Sequence, residues 1–182
     1  DSPCGLWVRN SDVYGYNNTK RFWLSPESPA ATQGWPWGAS ALNWQIIRYA
    51  DLLLYKAEAL IEIGGEGLEQ ARTLINRVRD RARNSAFVKD FNNPEQNAAN
   101  YKIGLYPATG WTQDYARRAL RTEMRLEKAM EGERFFDLVR WGIAKETMNN
   151  YFRAESDNRI YYQNATFDSG EEYFPVPVAQ YN

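Results

Sequence analysis

The 182 residues include no histidine, and cysteine occurs once, at Cys4. One cysteine cannot form an intrachain disulfide, and without histidine the usual zinc sites cannot be built, so any metal would have to be held by oxygen. The same absence removes the base that activates serine, cysteine or threonine in the commonest nucleophilic triads. Long apolar runs are missing too: none approaches the ~18 to 20 residues of a membrane-spanning helix. The opening "DSPCGLWVRN" lacks the basic-then-apolar pattern of a signal peptide and shows no sign of a natural start. The chain therefore reads as the trimmed part of something longer. An excess of charge is also lacking, with 22 basic against 23 acidic side chains. Nothing in that balance favours nucleic acid or an anionic membrane.

What is present is enough apolar material, 43% with 15% aromatic, for one domain with a real core. Residues 1 to 42 form an irregular, aromatic-rich segment; residues 1 to 44 hold four of the eight prolines and five of the seven tryptophans. "TKRFWL" (19 to 24) fits a short strand and "SPESPAATQGWPWGAS" (25 to 40) an extended loop. From 43 onward the pattern is helical. Ile46, Tyr49, Leu53, Ala57 and Leu60 recur at spacings of three and four up to Gly64 and Gly65, which predicts a helix over about 45 to 63 with a glycine C-cap. Ile47, Leu54 and Ile61 add a second stripe, so that helix needs cover on more than one side. Leu68, Ala71, Leu74, Ile75, Val78 and Ala82 line a second helix after a short turn, giving an antiparallel hairpin. Thr112 is placed to cap a helix over about 113 to 130, and another is expected through roughly 134 to 150. The tail from 151 is expected to be polar and aromatic, and extended at "EEYFPVPVAQYN" because of Pro175 and Pro177. The fold class is all-α with long irregular loops.

Several stretches invite a chemical reading. Glu123, Glu127 and Glu131 stand four apart, a spacing that suits a glycosidase carboxylate pair. Arginines at 117, 118, 121, 125, 134 and 140 surround them, however, and are expected to depress their pKa values and make the cluster a structural ion network. Helical spacing brings Glu127, Glu131 and Arg134 together and sets Asp137 one turn from Arg134 and Arg140, with Gly132 allowing a break. "RVRDRAR" sends Arg77 and Arg81 to one helix face and Arg79 and Arg83 to the other, which suits salt bridging rather than nucleic acid. "GGEGLEQA" follows a helix and carries Glu66 and Glu69 where a phosphate would sit, so it is a turn. "FDSGEE" matches no calcium loop. No catalytic residue, metal ligand or cofactor is assigned. Trp35 and Trp37, flanking Pro36, and Trp111, ending another loop, remain as indole faces for a ligand, with packing against the helices as the alternative.

Four blocks then resemble, in order, the C-terminal signatures of the SusD/RagB family: "RYADLLLYKAEALIEIGG" (48 to 65), "ARTLINRVRDRA" (71 to 82), "RTEMRLEKAMEGERFFDLVRWG" (121 to 142) and "YFPVPVAQYN" (173 to 182). Lys128 and Met130 depart from the apolar and aromatic residues usual there, and Gln180 from a common Glu. The likeness covers about 43 to 182 and implies the C-terminal part of a SusD-like α/α superhelix whose other tetratricopeptide-like pairs lie upstream. It also implies a non-catalytic, surface-exposed outer-membrane lipoprotein, its lipid anchor outside this chain. Such a protein captures starch or another glycan for a SusC-like TonB-dependent transporter. The sequence leaves one alternative, a helical-repeat docking module with no glycan site of its own.

Overall fold

The structure, a computed structural model, describes residues 46–90, 92–129, 131–174 and 176–180. The strand expected at 19 to 24, the loop at 25 to 40, Trp35 and Trp37 lie outside the described residues. The chain divides into two compact units, Asp1–Glu127 and Lys128–Asn182. Among the described residues the regular structure is helical, with a single isolated antiparallel bridge between Lys89 and Asn97. The all-α reading holds.

In the first unit α1 runs Tyr49–Ile63, α2 Gly67–Arg83 and α3 Gln113–Glu127. Helix α1 starts later than its apolar pattern suggests, because Arg48 is extended and its N–H donates to the Asp51 carboxylate at 2.6 Å. A carboxylate in the first turn also favours the helix dipole. Ile46 and Ile47, expected to begin the two stripes, precede the helix and are exposed. Leu53, Leu54, Ala57 and Ile61 form the buried face instead. Gly64 ends the helix, its N–H returning to the Leu60 carbonyl at 3.1 Å, and α2 doubles back to bury Ala71, Ile75 and Val78 against α1. One hairpin cannot cover both stripes, and α3 supplies the missing wall, packing on both helices through Ala116, Ala119, Leu120 and Met124. Thr112 caps it as expected, Oγ1 accepting the Tyr115 N–H at 3.3 Å. Leu54, Ile61, Ile75, Leu120 and Met124 are almost wholly enclosed, each worth about 1.5–3 kcal/mol relative to exposure.

A second stripe of α2 grips the connecting segment. Arg72 and Asn76 donate to the Tyr106 carbonyl, each at 2.9 Å, and Asn76 Oδ1 accepts the Tyr106 N–H at 2.8 Å. Arg79 Nε donates to the Gly104 carbonyl at 2.6 Å. Spacings of four and three put these residues on one helical face, so a segment with no helix or strand of its own is held by side chains.

In the second unit one expected helix becomes two, α4 over Arg134–Arg140 and α5 over Ala144–Glu155. Gly142, at φ +68°, makes the break between them, a conformation that costs other residues energy. Leu138, Ala144 and Phe167 form the buried centre, with Phe135, Val139, Trp141, Ile143, Met148 and Phe152 packed around it. Asn149 repeats the device of Asn76, accepting the Phe167 N–H at 3.0 Å and donating to its carbonyl at 2.8 Å. The tail is less extended than its prolines suggest. Ile160–Tyr162 and Val178–Gln180 form 3-10 turns, the first stacking Tyr162 on Phe152 at 5.3 Å, the second following Pro177, whose carbonyl accepts the Gln180 N–H at 2.9 Å.

Candidate functional site

Trp111 sits in a cluster with Tyr106 and Tyr115, both ring centroids 5.5 Å from its own. The segment clamp positions Tyr106, and the first turn of α3 carries Tyr115. The indole is half-buried and its N–H donates to the Leu68 carbonyl at 2.8 Å, near the start of α2. Its hydrogen-bonding edge is thus committed to the scaffold, and only a ring face could serve a ligand. Burial raises the pKa of the Tyr106 phenol, whose ring lies 4.7 Å from the Arg79 guanidinium.

The aligned acids of α3 are paired across helices. Glu123 accepts from Arg79 at 2.7 Å, while Glu127 accepts from Arg48 at 2.6 Å and from Arg81 at 2.5 Å. These partners come from α2 and from the residue before α1, not from the arginines on α3 itself. One of those, Arg117, reaches out to Glu62 at 2.8 Å and holds its carboxyl below the usual range. Helix α3 ends at Glu127, so the four-residue spacing does not extend a helical face to Glu131. In the second unit Asp137 accepts from Arg140 at 2.9 Å as expected, whereas Arg134 lies over the Trp141 ring at 5.5 Å. Lys128, which breaks the apolar pattern, is buried with its ammonium 2.7 Å from Glu133.

One expectation is reversed. Glu123 was expected to be depressed by arginine, but burial pushes its carboxyl above the usual range, outweighing Arg79. A raised folded pKa stabilises the fold most below the ordinary glutamate value of about 4.3, and that contribution fades as pH rises through the folded value. Glu123→Gln, which does not titrate, should therefore gain on wild type in thermal melts as pH rises above the ordinary glutamate value of about 4.3. A melting difference that is flat with pH, or that falls, would mean the pairing outweighs the burial.

"RVRDRAR" divides as its spacing suggests. Arg79 faces Glu123, and Arg83 pairs with Asp80 on the surface at 2.6 Å. On the other side Arg81 meets Glu127, and Arg77 lies 5.3 Å over the Tyr49 ring. Arg77 and Arg81 face a cleft of about 510 Å³ at the start of α1, lined also by Ile47, Arg48, Leu53 and Val78. The pairing of the two arginines was legible in their spacing, but the cleft needs Tyr49 of α1 and Arg48 just before it, and was not. In "FDSGEE" the carboxylates of Glu171 and Glu172 accept N–H groups of their own turn, and Asp168 pairs with Lys145 at 3.1 Å. Among the described residues no cluster of acidic or cysteine side chains could hold a metal.

The sequence profile of the SusD family matches residues 9–182. The chain belongs to that family. Its relatives include SusD-like protein P2 of Formosa agariphila, 33% identical over 139 residues, which are 76% of this chain and 23% of that protein. SusD-like protein P38 of the same organism is 37% identical over 106 residues, 58% of this chain and 18% of that protein. The chain thus spans about a fifth of the length of these relatives. Among the described residues, the ion pairs around Glu123 and Glu127 fall in the blocks that carry the SusD likeness: Arg48 and Asp51 in the first, Arg79 and Arg81 in the second, Glu123 and Glu127 in the third. Those blocks encode the scaffold of the first unit.

Proposed function

We propose that this chain is part of a non-catalytic, surface-exposed glycan-binding lipoprotein of the outer membrane that hands its ligand to a SusC-like TonB-dependent transporter. Support comes from the SusD-family match over residues 9–182. The charge network is compatible with a binding role, since Glu123 and Glu127, the acids best spaced for glycosidase work, are buried and clamped by arginine. Part of the glycan contact is assigned to Trp35, Trp37 and Trp111. Pro36 restrains the backbone between the first two indoles, which lowers the entropy lost on binding.

Affinity electrophoresis of the intact protein across a polysaccharide panel should show retardation by at least one glycan, with no reducing ends released. Trp35→Ala and Trp37→Ala should each weaken that binding several-fold at unchanged melting temperature. Trp111→Ala should also lower the melting temperature, because Leu68 loses its donor. The docking-module alternative draws on the outer face of α1, where Tyr49, Leu52, Tyr55 and Ile63 are exposed. No retardation by any glycan, together with co-purification of a transporter from gently solubilised membranes, would favour it.

A further inference from the structure

We propose that the cleft at the start of α1 binds the anionic group, a carboxylate or sulfate ester, of an acidic glycan. This rests on the glycan-binding reading above and narrows its ligand. The cleft, of about 510 Å³, has three arginines in its lining, Arg48, Arg77 and Arg81, and among the described residues no acidic one. That volume falls within the ~300–1,000 Å³ of small-molecule sites. The nearby carboxylates are already committed: Asp51 is buried against Arg48, and Glu127 bridges Arg48 and Arg81 from below. Among the described residues three guanidinium groups stand against two carboxylates, an excess of one positive charge, and the arginines line the cleft whereas the two carboxylates do not.

Two of these guanidinium groups have donors to spare. Arg81 gives one nitrogen to Glu127 while its side chain stays more than half exposed. A guanidinium carries five N–H donors, so most of Arg81 is available. Arg77 stands one turn earlier on the same face, is exposed, and among the described residues has no carboxylate partner. Its contact is the Tyr49 ring, 5.3 Å from the guanidinium carbon. That cation–π contact sets the guanidinium beside an aromatic face, and its planar fork has the shape that recognises carboxylate and sulfate oxygens in pairs. Ile47, Leu53 and Val78 supply an apolar surface beside the charge, suited to the C–H face of the sugar that carries the anion. A neutral hydroxyl would accept a weaker hydrogen bond from these arginines than a carboxylate or sulfate does, so the site favours acid substituents.

Calorimetric titrations of the intact protein test this with a short oligouronate, its carboxyl-reduced form, a sulfated oligogalactan, its desulfated form, and inorganic sulfate. At least one acidic probe should bind about tenfold or more tightly than its neutral counterpart, as expected for a charge-assisted hydrogen bond. The preference should shrink with added salt. Arg77→Gln, a surface change, should abolish it at unchanged melting temperature. Equal affinity for acidic and neutral forms overturns the proposal and leaves the glycan-binding reading standing, as does an acid preference that survives Arg77→Gln. Inorganic sulfate binding as tightly as the sulfated oligomer overturns the glycan assignment in favour of a free anion. Failure of every glycan, neutral and acidic alike, takes down both readings.

Discussion

Arg48→Met should destabilise the first unit by about 3 kcal/mol, at the lower end of the cost of removing one partner from a buried ion pair. Arg48 contacts Asp51 at 3.3 Å and Glu127 at 2.6 Å, and these two carboxylates are only 4% and 7% exposed. Methionine fills much the same volume, so the loss is electrostatic. Glu127 keeps Arg81, and Asp51 keeps the N–H of residue 48, which is why the cost stays at that lower end. Arg81→Met is the control: its own side chain is 59% exposed and buried Glu127 keeps Arg48, so its loss should be nearer the ~1 kcal/mol of an exposed pair. Urea melts should separate the two variants clearly. The double variant Arg48→Met, Glu127→Gln should lose less than the sum of its parts, because the stranded charge is removed with its partner. Equal and small losses for both single variants would show that water reaches the network.

Phe167→Ala should cost the second unit about 3 kcal/mol or more, in the range for a large side chain removed from a core. Its ring meets Phe135 edge to face, centroids 5.9 Å apart, and lies against Leu138 and Ala144. Asn149 would still hold the Phe167 backbone in the variant. Asn149→Ala is the complement, keeping the ring and losing the clamp. Amide exchange at Phe167 should therefore rise steeply in Asn149→Ala, while global stability falls further in Phe167→Ala. If Phe167→Ala melts like wild type, the residues after α5 contribute nothing to that core.

The sequence made some of this legible because some of it is local. Spacings of three and four located α1 and α2, Thr112 as a cap located α3, and two adjacent glycines marked the turn between the first pair. The same rule failed for the ion network, since it sees only partners on one helix. Glu123 and Glu127 instead pair with residues 44, 46 and 79 positions away. The start of α1 was misplaced because the cap at Arg48 and Asp51, not the apolar pattern, decides it. The break at Gly142 was missed because apolar residues continue on both sides of it. For Trp111 the sequence offered packing or ligand contact, and the Leu68 carbonyl that takes its N–H lies 43 positions away.

Asn76 and Asn149 each offer both backbone groups of one residue a partner, a donor and an acceptor, the pair that a neighbouring strand would otherwise present. Non-helical segments with unclaimed N–H and C=O groups are templates on which other chains can add as strands, leading to aggregation. At Tyr106 and Phe167 both groups are occupied by a side chain of the same molecule. Each asparagine therefore removes one residue's N–H and C=O from the groups that a strand of another chain could pair with at Tyr106 and at Phe167.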